Sequence, residues 1–228
     1  MRTALLTIAL ASCSTGLADP KPDPPGKRFE HDMMVRFHMH QNFDLLRAIE
    51  RLLIKGKLDQ AKPFAAAIAT APDEPLHGPW ASYQVTIRER AAAVASATDP
   101  GDALRKTAAI GGMCGNCHGE LSVKLGVDAV PRLPPDEATL DARMARHRWA
   151  ADRLWEGVVG NSEAAWRSGL DVLAAAPLEQ PAERAGLARQ LQRQAEAARR
   201  PSPGKLVDRA SSYGQILTTC ASCHTAKR

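Results

Sequence analysis

The chain has 228 residues, 44% of them hydrophobic but only 4% aromatic, and carries a formal charge of +5 at pH 7. No stretch is dense in Val, Ile and Thr, which argues against a sheet protein, while abundant Ala, Leu, Arg and Glu favour helix. Basic residues are interspersed with acidic ones, so the footprint of a nucleic-acid binder is missing and no nucleic-acid partner is expected.

Met1-Arg2 is a short charged start, and the apolar run from Thr3 to Ala11 is too short to span a bilayer. Residues 1–18 therefore read as a secretory signal peptide. Two cleavage sites compete. Leu10-Ala11-Ser12-Cys13 resembles a lipobox, which would attach the chain to a membrane through a lipidated Cys13. Gly16-Leu17-Ala18 is a small-x-small site that would release a soluble periplasmic protein and discard Cys13. The lipobox reading gives every cysteine a use. Residues 19–30, proline-rich from Asp19 to Gly26, are expected to form an extended tether.

Two helical halves follow. In the first, 31–124, helical periodicity covers residues about 31–55, 58–71, 79–97 and 101–120, punctuated by Gly56, the Pro72–Pro79 segment and Asp99-Pro100-Gly101. Residues 125–136, with three prolines, read as a linker. In the second half, 137–228, the helices are expected over about 137–159, 161–175, 180–199 and 205–227. A shift of 105 residues lays Met39 on Met144 and Leu45, Ile49, Leu53 and Ile54 on Ala150, Leu154, Val158 and Val159. The chain thus reads as a duplication. Short connections between neighbours predict an all-α fold of two tandem four-helix-bundle-like domains.

Each half closes on the same five-residue pattern, Cys114-Gly115-Asn116-Cys117-His118 and Cys220-Ala221-Ser222-Cys223-His224. Cys-x-x-Cys-His is the attachment sequence of c-type haem. On a helix the two sulfurs share a face, within reach of the two vinyl groups of one porphyrin. The histidine that follows can bind the iron axially. A zinc site is the alternative, because Cys and His also bind zinc. A four-ligand zinc site would have to join two motifs 106 residues apart, whereas haem needs no such joining. We therefore expect two covalently bound haem c groups, on Cys114, Cys117 and His118 and on Cys220, Cys223 and His224. Their propionates would offset most of the positive charge, and the basic surface would suit an acidic redox partner protein.

The second motif lies only four residues from the C-terminus, so a sixth iron ligand must come from upstream. In the second half the strong candidates are Met144 and His147, three residues apart on one helix face, with Trp149 and Trp155 able to wall a porphyrin. Both also read as core filler and surface base. In the first half Met34, His38, Met39 and His40 crowd one helix. Met39 is the counterpart of Met144, and His38 or His40 would do the work of His147. Met33, His31 and His77 read as incidental and Met113 as packing.

Haem carried by Cys-x-x-Cys-His on the last helix of a four-helix bundle resembles the class II cytochromes c, the cytochrome c′ and c-556 group. That resemblance implies that the first helix of each bundle supplies the residue over the distal face. In the family it is methionine in low-spin members and a non-ligating apolar residue in gas-binding ones. This chain departs from the pattern by its tandem arrangement, shorter bundles and first-helix histidines. The implied function is one-electron transfer between redox partners. The alternative is NO or CO binding at a five-coordinate haem. Dihaem peroxidases also carry two such motifs, but no acid/base pair placed beside a haem supports an enzyme here.

Overall fold

A computed structural model describes residues 25–72, 80–137, 139–175, 182–199 and 206–226. The leader with Cys13, the tether residues 19–24 and His77 lie outside the described residues. Among the described residues there are eight helices and no strand: α1 (Pro25–Ile54), α2 (Leu58–Ala69), α3 (Trp80–Ala95), α4 (Pro100–Glu120), α5 (Leu140–Val159), α6 (Glu163–Ala175), α7 (Ala182–Ala198) and α8 (Leu206–Thr225). The fold is all-α. No helix among the described residues is long and apolar enough to cross a membrane.

The largest departure from expectation is at the start. Helix α1 begins at Pro25, inside the span expected to be tether. Proline suits the first helical position, because the N–H it lacks would be unsatisfied there and its fixed φ is already helical. Elsewhere the ends follow local chemistry. The Asp99 carboxylate accepts from Asp102 N at 2.6 Å ahead of Pro100, Thr139 Oγ1 accepts from Ala142 N at 3.2 Å, and Ser162 Oγ accepts from Ala165 N at 3.1 Å. Each satisfies one N–H that the first turn leaves unpaired. At the end of α1, Gly56 takes φ +71°, with Gly56 N bonded to Leu53 O and Lys57 N to Leu52 O, a left-handed turn that suits glycine.

The chain forms two compact units, Met1–Phe37 and His38–Arg228. The described part of the first is the opening of α1, where Met33, Met34 and Phe37 are exposed. In the second unit α2 packs on α3 and α3 on α4, while α5, α6, α7 and α8 pack in succession and α5 also meets α8. Helices of the two halves pack on each other as well, α4 against α8 most extensively and α4 against α5. The shared core includes Leu46, Ile49, Leu53, Ile68, Leu104, Ile110, Leu154, Trp155, Leu170, Tyr213 and Ile216, all almost fully buried. Each such side chain contributes on the order of 1.5–3 kcal/mol. Residues 123–137 contain no helix. They are fastened to α5 by the buried Arg153, which donates to Val127 O at 2.9 Å and Ala129 O at 3.3 Å.

Contacts across the halves recur in reciprocal pairs. A Cβ built on Gly119 would stand 3.3 Å from Asn161, and one built on Gly56 would stand 2.6 Å from Thr225; Gly56 answers to Asn161 at the shift of 105, and Gly119 to Thr225 at the spacing of 106 that the motif helices α4 and α8 keep. Gly56 and Asn161 also share positive φ, +71° and +50°. Two contacts join a residue to its own repeat counterpart. Arg47 pairs with Asp152, 105 residues on. A Cβ on Gly214 would lie 3.4 Å from Ala108. This is the contact pattern of a twofold arrangement, in which a residue near the axis meets its own equivalent.

Candidate functional site

Helix α4 meets α8 at Gly101 and Thr218, Ala108 and Gly214, and Gly112 and Ala210. Position rises on one helix as it falls on the other, so the two run antiparallel. The two Cys-x-x-Cys-His motifs consequently lie on opposite sides of the crossing at Ala108 and Gly214. Each histidine is ten residues past that crossing. At 1.5 Å per residue the motif histidines are therefore roughly 30 Å apart along the pair. A single zinc site joining both motifs is incompatible with this arrangement. Among the described residues no three His, Cys, Asp or Glu side chains converge on a common point.

Cys114, Cys117, Cys220 and Cys223 are unpaired. Burial, with smaller contributions from neighbouring anionic groups, pushes the Cys114 and Cys220 thiols up to about 12 and the Cys117 thiol up to about 11. They sit in apolar surroundings that suit thioethers.

His118 is buried and its Nδ1 lies 2.8 Å from the carbonyl oxygen of Val159, at the end of α5. A carbonyl can only accept, so Nδ1 is the donor and Nε2 is the nitrogen turned away from this bond. This is the hydrogen bond that orients a metal-binding imidazole and fixes its tautomer. The backbone of His118 is held too. Its carbonyl accepts from Val123 N at 2.8 Å, in a cap where Ser122 takes φ +55°. The first motif is thus supported by the second half of the chain. The second motif has the reciprocal neighbour: Thr225 abuts Gly56, just after α1. His224 is exposed, and its pKa is pushed down by desolvation and then by the positive charges of Arg184 and Lys55. Arg184 Nη2 reaches Ala226 O at 3.4 Å.

His147 on α5 lies close enough to His224 for their charges to interact. It is half-buried, its Nε2 is removed from solvent, and that nitrogen has no hydrogen-bond partner. Burial first, and His224 second, push its pKa down to about 4. The imidazole is therefore neutral near pH 7, with a basic nitrogen left unused beside the second motif. A buried polar atom without a partner costs roughly 1–3 kcal/mol, and coordination to iron would relieve that cost. Met144, one turn earlier, is half-buried. In the first half Met39 and His38 are half-buried whereas His40 is exposed on another side of α1. The repeat position of His147 is held by Asn42, also half-buried. Trp155 stands beside the first motif's helix, since a Cβ on Gly111 would meet its ring at 2.7 Å. Trp149 is half-buried, with its indole nitrogen unpartnered.

Several residues around these sites gave no signal in the sequence. The Val159 carbonyl is invisible to any residue pattern. Arg47 and Glu50 look like an ordinary surface pair three apart, yet both are buried. Tyr213 Oη donates to Glu50 Oε2 at 2.9 Å across 163 positions of sequence. Only the repeat could have hinted at them, because Arg47 answers to an acid, Asp152, and Glu50 to an indole, Trp155.

No protein-family model, no curated protein and no solved structure matches the chain.

Proposed function

We propose that the chain is an exported, periplasmic dihaem c-type cytochrome, similar to the class II cytochromes c, that passes single electrons between redox partner proteins. In this reading each half contributes a four-helix haem unit, and Cys13 offers lipid attachment to a membrane. Bound haem would supply a one-electron iron couple, with no bond made or broken by the protein.

The residues fit that group. Cys114 and Cys117 would hold one porphyrin and Cys220 and Cys223 the other. His118 and His224 would be proximal ligands, the former oriented by the Val159 carbonyl. The observation that carries the electron-transfer reading is His147: a neutral, half-buried imidazole with an unpartnered Nε2 beside His224. As sixth ligand it would close the distal side to gases and hold the coordination constant between redox states, which keeps reorganisation small. Met144 is its neighbour in the same role. At the first motif Asn42 occupies the repeat position of His147, which favours a second reading there: a more open distal face, with Met39 or His38 as the candidate ligand and NO or CO as the alternative guest.

Absorption and CO-difference spectra of the reduced, purified protein test the proposal. Two covalent haems are expected, with the second low-spin and unresponsive to CO. His147→Ala should turn that haem high-spin and CO-reactive. A protein without covalent haem refutes the proposal, and an unchanged spectrum in His147→Ala refutes the ligand assignment.

A further inference from the structure

The twofold relation makes the two sites comparable position by position, and they differ most sharply at one pair. Beside the first motif stands Trp155, packed on Gly111, one turn before Cys114. Its repeat counterpart is Glu50, which is 1% exposed and is anchored by Tyr213, two turns before Cys220. The Trp155 ring also packs on Tyr213, centroids 6.0 Å apart, so indole and carboxyl group both lie near the axis; it is Cys220 of the second motif, and not Cys114 of the first, that feels the Glu50 charge. The Glu50 environment is specific. Arg47 Nη1 donates to it at 2.8 Å and Tyr213 Oη at 2.9 Å. Arg51 on its own helix and Cys220 on α8 also feel its charge. Arg47 is shared with Asp152 on α5 and lies over the Trp155 ring, 5.7 Å from its centroid. Part of the positive charge that would hold Glu50 ionised is thus drawn towards another acid.

We propose that Glu50 is a proton-binding site linked to the redox state of the second haem, and that Trp155 leaves the first haem without one. This rests on the dihaem reading above. Oxidised haem iron carries one more positive charge than reduced iron, and a nearby carboxylate favours it. When one electron arrives from a redox partner, that attraction is lost and Glu50 takes up one proton from solvent. Reoxidation returns both. Burial acts in the direction the coupling needs: desolvation, only partly offset by Arg47 and Tyr213, raises the Glu50 pKa above the ordinary carboxylate range.

The test is potentiometric titration of the full-length haem-loaded protein between about pH 5 and 9, followed optically. One wave should fall with rising pH by up to about 59 mV per unit, the value for one proton per electron. The other should be flat. Cys220→Ala/Cys223→Ala, which lacks the second haem, should retain only the flat wave. Glu50→Gln should abolish the slope and raise the potential of the second haem. Tyr213→Phe removes a donor that favours the carboxylate, so its sloping window should move to higher pH. That shift in window is one a merely structural role would not produce, and it keeps the proposal testable should Glu50→Gln fold poorly. A slope that persists in Glu50→Gln, equal slopes at both haems, or an unmoved window in Tyr213→Phe overturns the proposal. Such results in a two-haem protein leave the cytochrome reading standing, whereas a protein without haem removes that reading itself.

Discussion

If the proposed dihaem reading holds, the separation of roughly 30 Å between the motif histidines along the antiparallel pair α4 and α8 should make the two haems electrically independent centres. The perturbation is removal of one haem by Cys220→Ala/Cys223→Ala. Two unit charges 30 Å apart interact by about 0.6 kcal/mol at an effective dielectric constant of about 20, and by about 0.1 kcal/mol in bulk water. For one electron about 1.4 kcal/mol corresponds to about 59 mV, so the upper figure is about 25 mV. The remaining haem should therefore titrate within about 25 mV of its position in the parent protein. Potentiometry with optical detection reads this directly, and the reciprocal variant Cys114→Ala/Cys117→Ala checks it from the other side. A displacement of about 100 mV would correspond to about 2.4 kcal/mol, which requires charges about 7 Å apart at the same dielectric constant. That result would refute the antiparallel placement of the motifs.

Two further outcomes follow from packing and titration. Gly157→Ala would put a Cβ 2.7 Å from the Trp166 backbone nitrogen and 2.8 Å from its Cα, so α5 and α6 must separate; a loss of about 1–3 kcal/mol is expected in denaturant titration, and an unchanged midpoint would contradict the close approach. The chain has two tyrosines, and neither should ionise near pH 10. A hydrogen bond to Glu120 pushes the pKa of Tyr83 up to about 12, and burial followed by Glu50 pushes that of Tyr213 well above its ordinary value. Above pH 10 the unfolded chain binds fewer protons than the folded one, so stability falls as pH rises. Ultraviolet difference titration should show almost no tyrosinate in the folded protein at pH 10, and a tyrosine with its midpoint at 10 would refute the assignment for that residue.

Much of this was legible in the sequence, and the limits have physical causes. Helical spacing and the breaks at Gly56 and Asp99-Pro100-Gly101 marked seven of the helices to within a few residues, because caps and prolines act locally. The start of α1 was missed because a proline-rich stretch suits a tether and a helix N-terminus equally well. The motif residues were plain, since their chemistry depends on a five-residue spacing. Among the first-half candidates, only the turn of the helix could separate His38 and Met39, half-buried, from His40, exposed. What no periodicity could reveal was the exchange between halves. His118 is oriented by a carbonyl from the second half, and the neutral state of His147 comes from packing. Nothing in the sequence singles out Arg47 and Glu50; Arg47 one turn away and Tyr213, 163 positions on, together satisfy Glu50 inside.

The pairing of Arg47 with Asp152 carries a consequence for origin. Two identical copies of one half, docked around a true symmetry axis, would set arginine against arginine at that point, or aspartate against aspartate. Opposite charges there require two different sequences. A homodimer of the first half would carry that repulsion at its axis, so the attraction seen here needs two halves of different sequence.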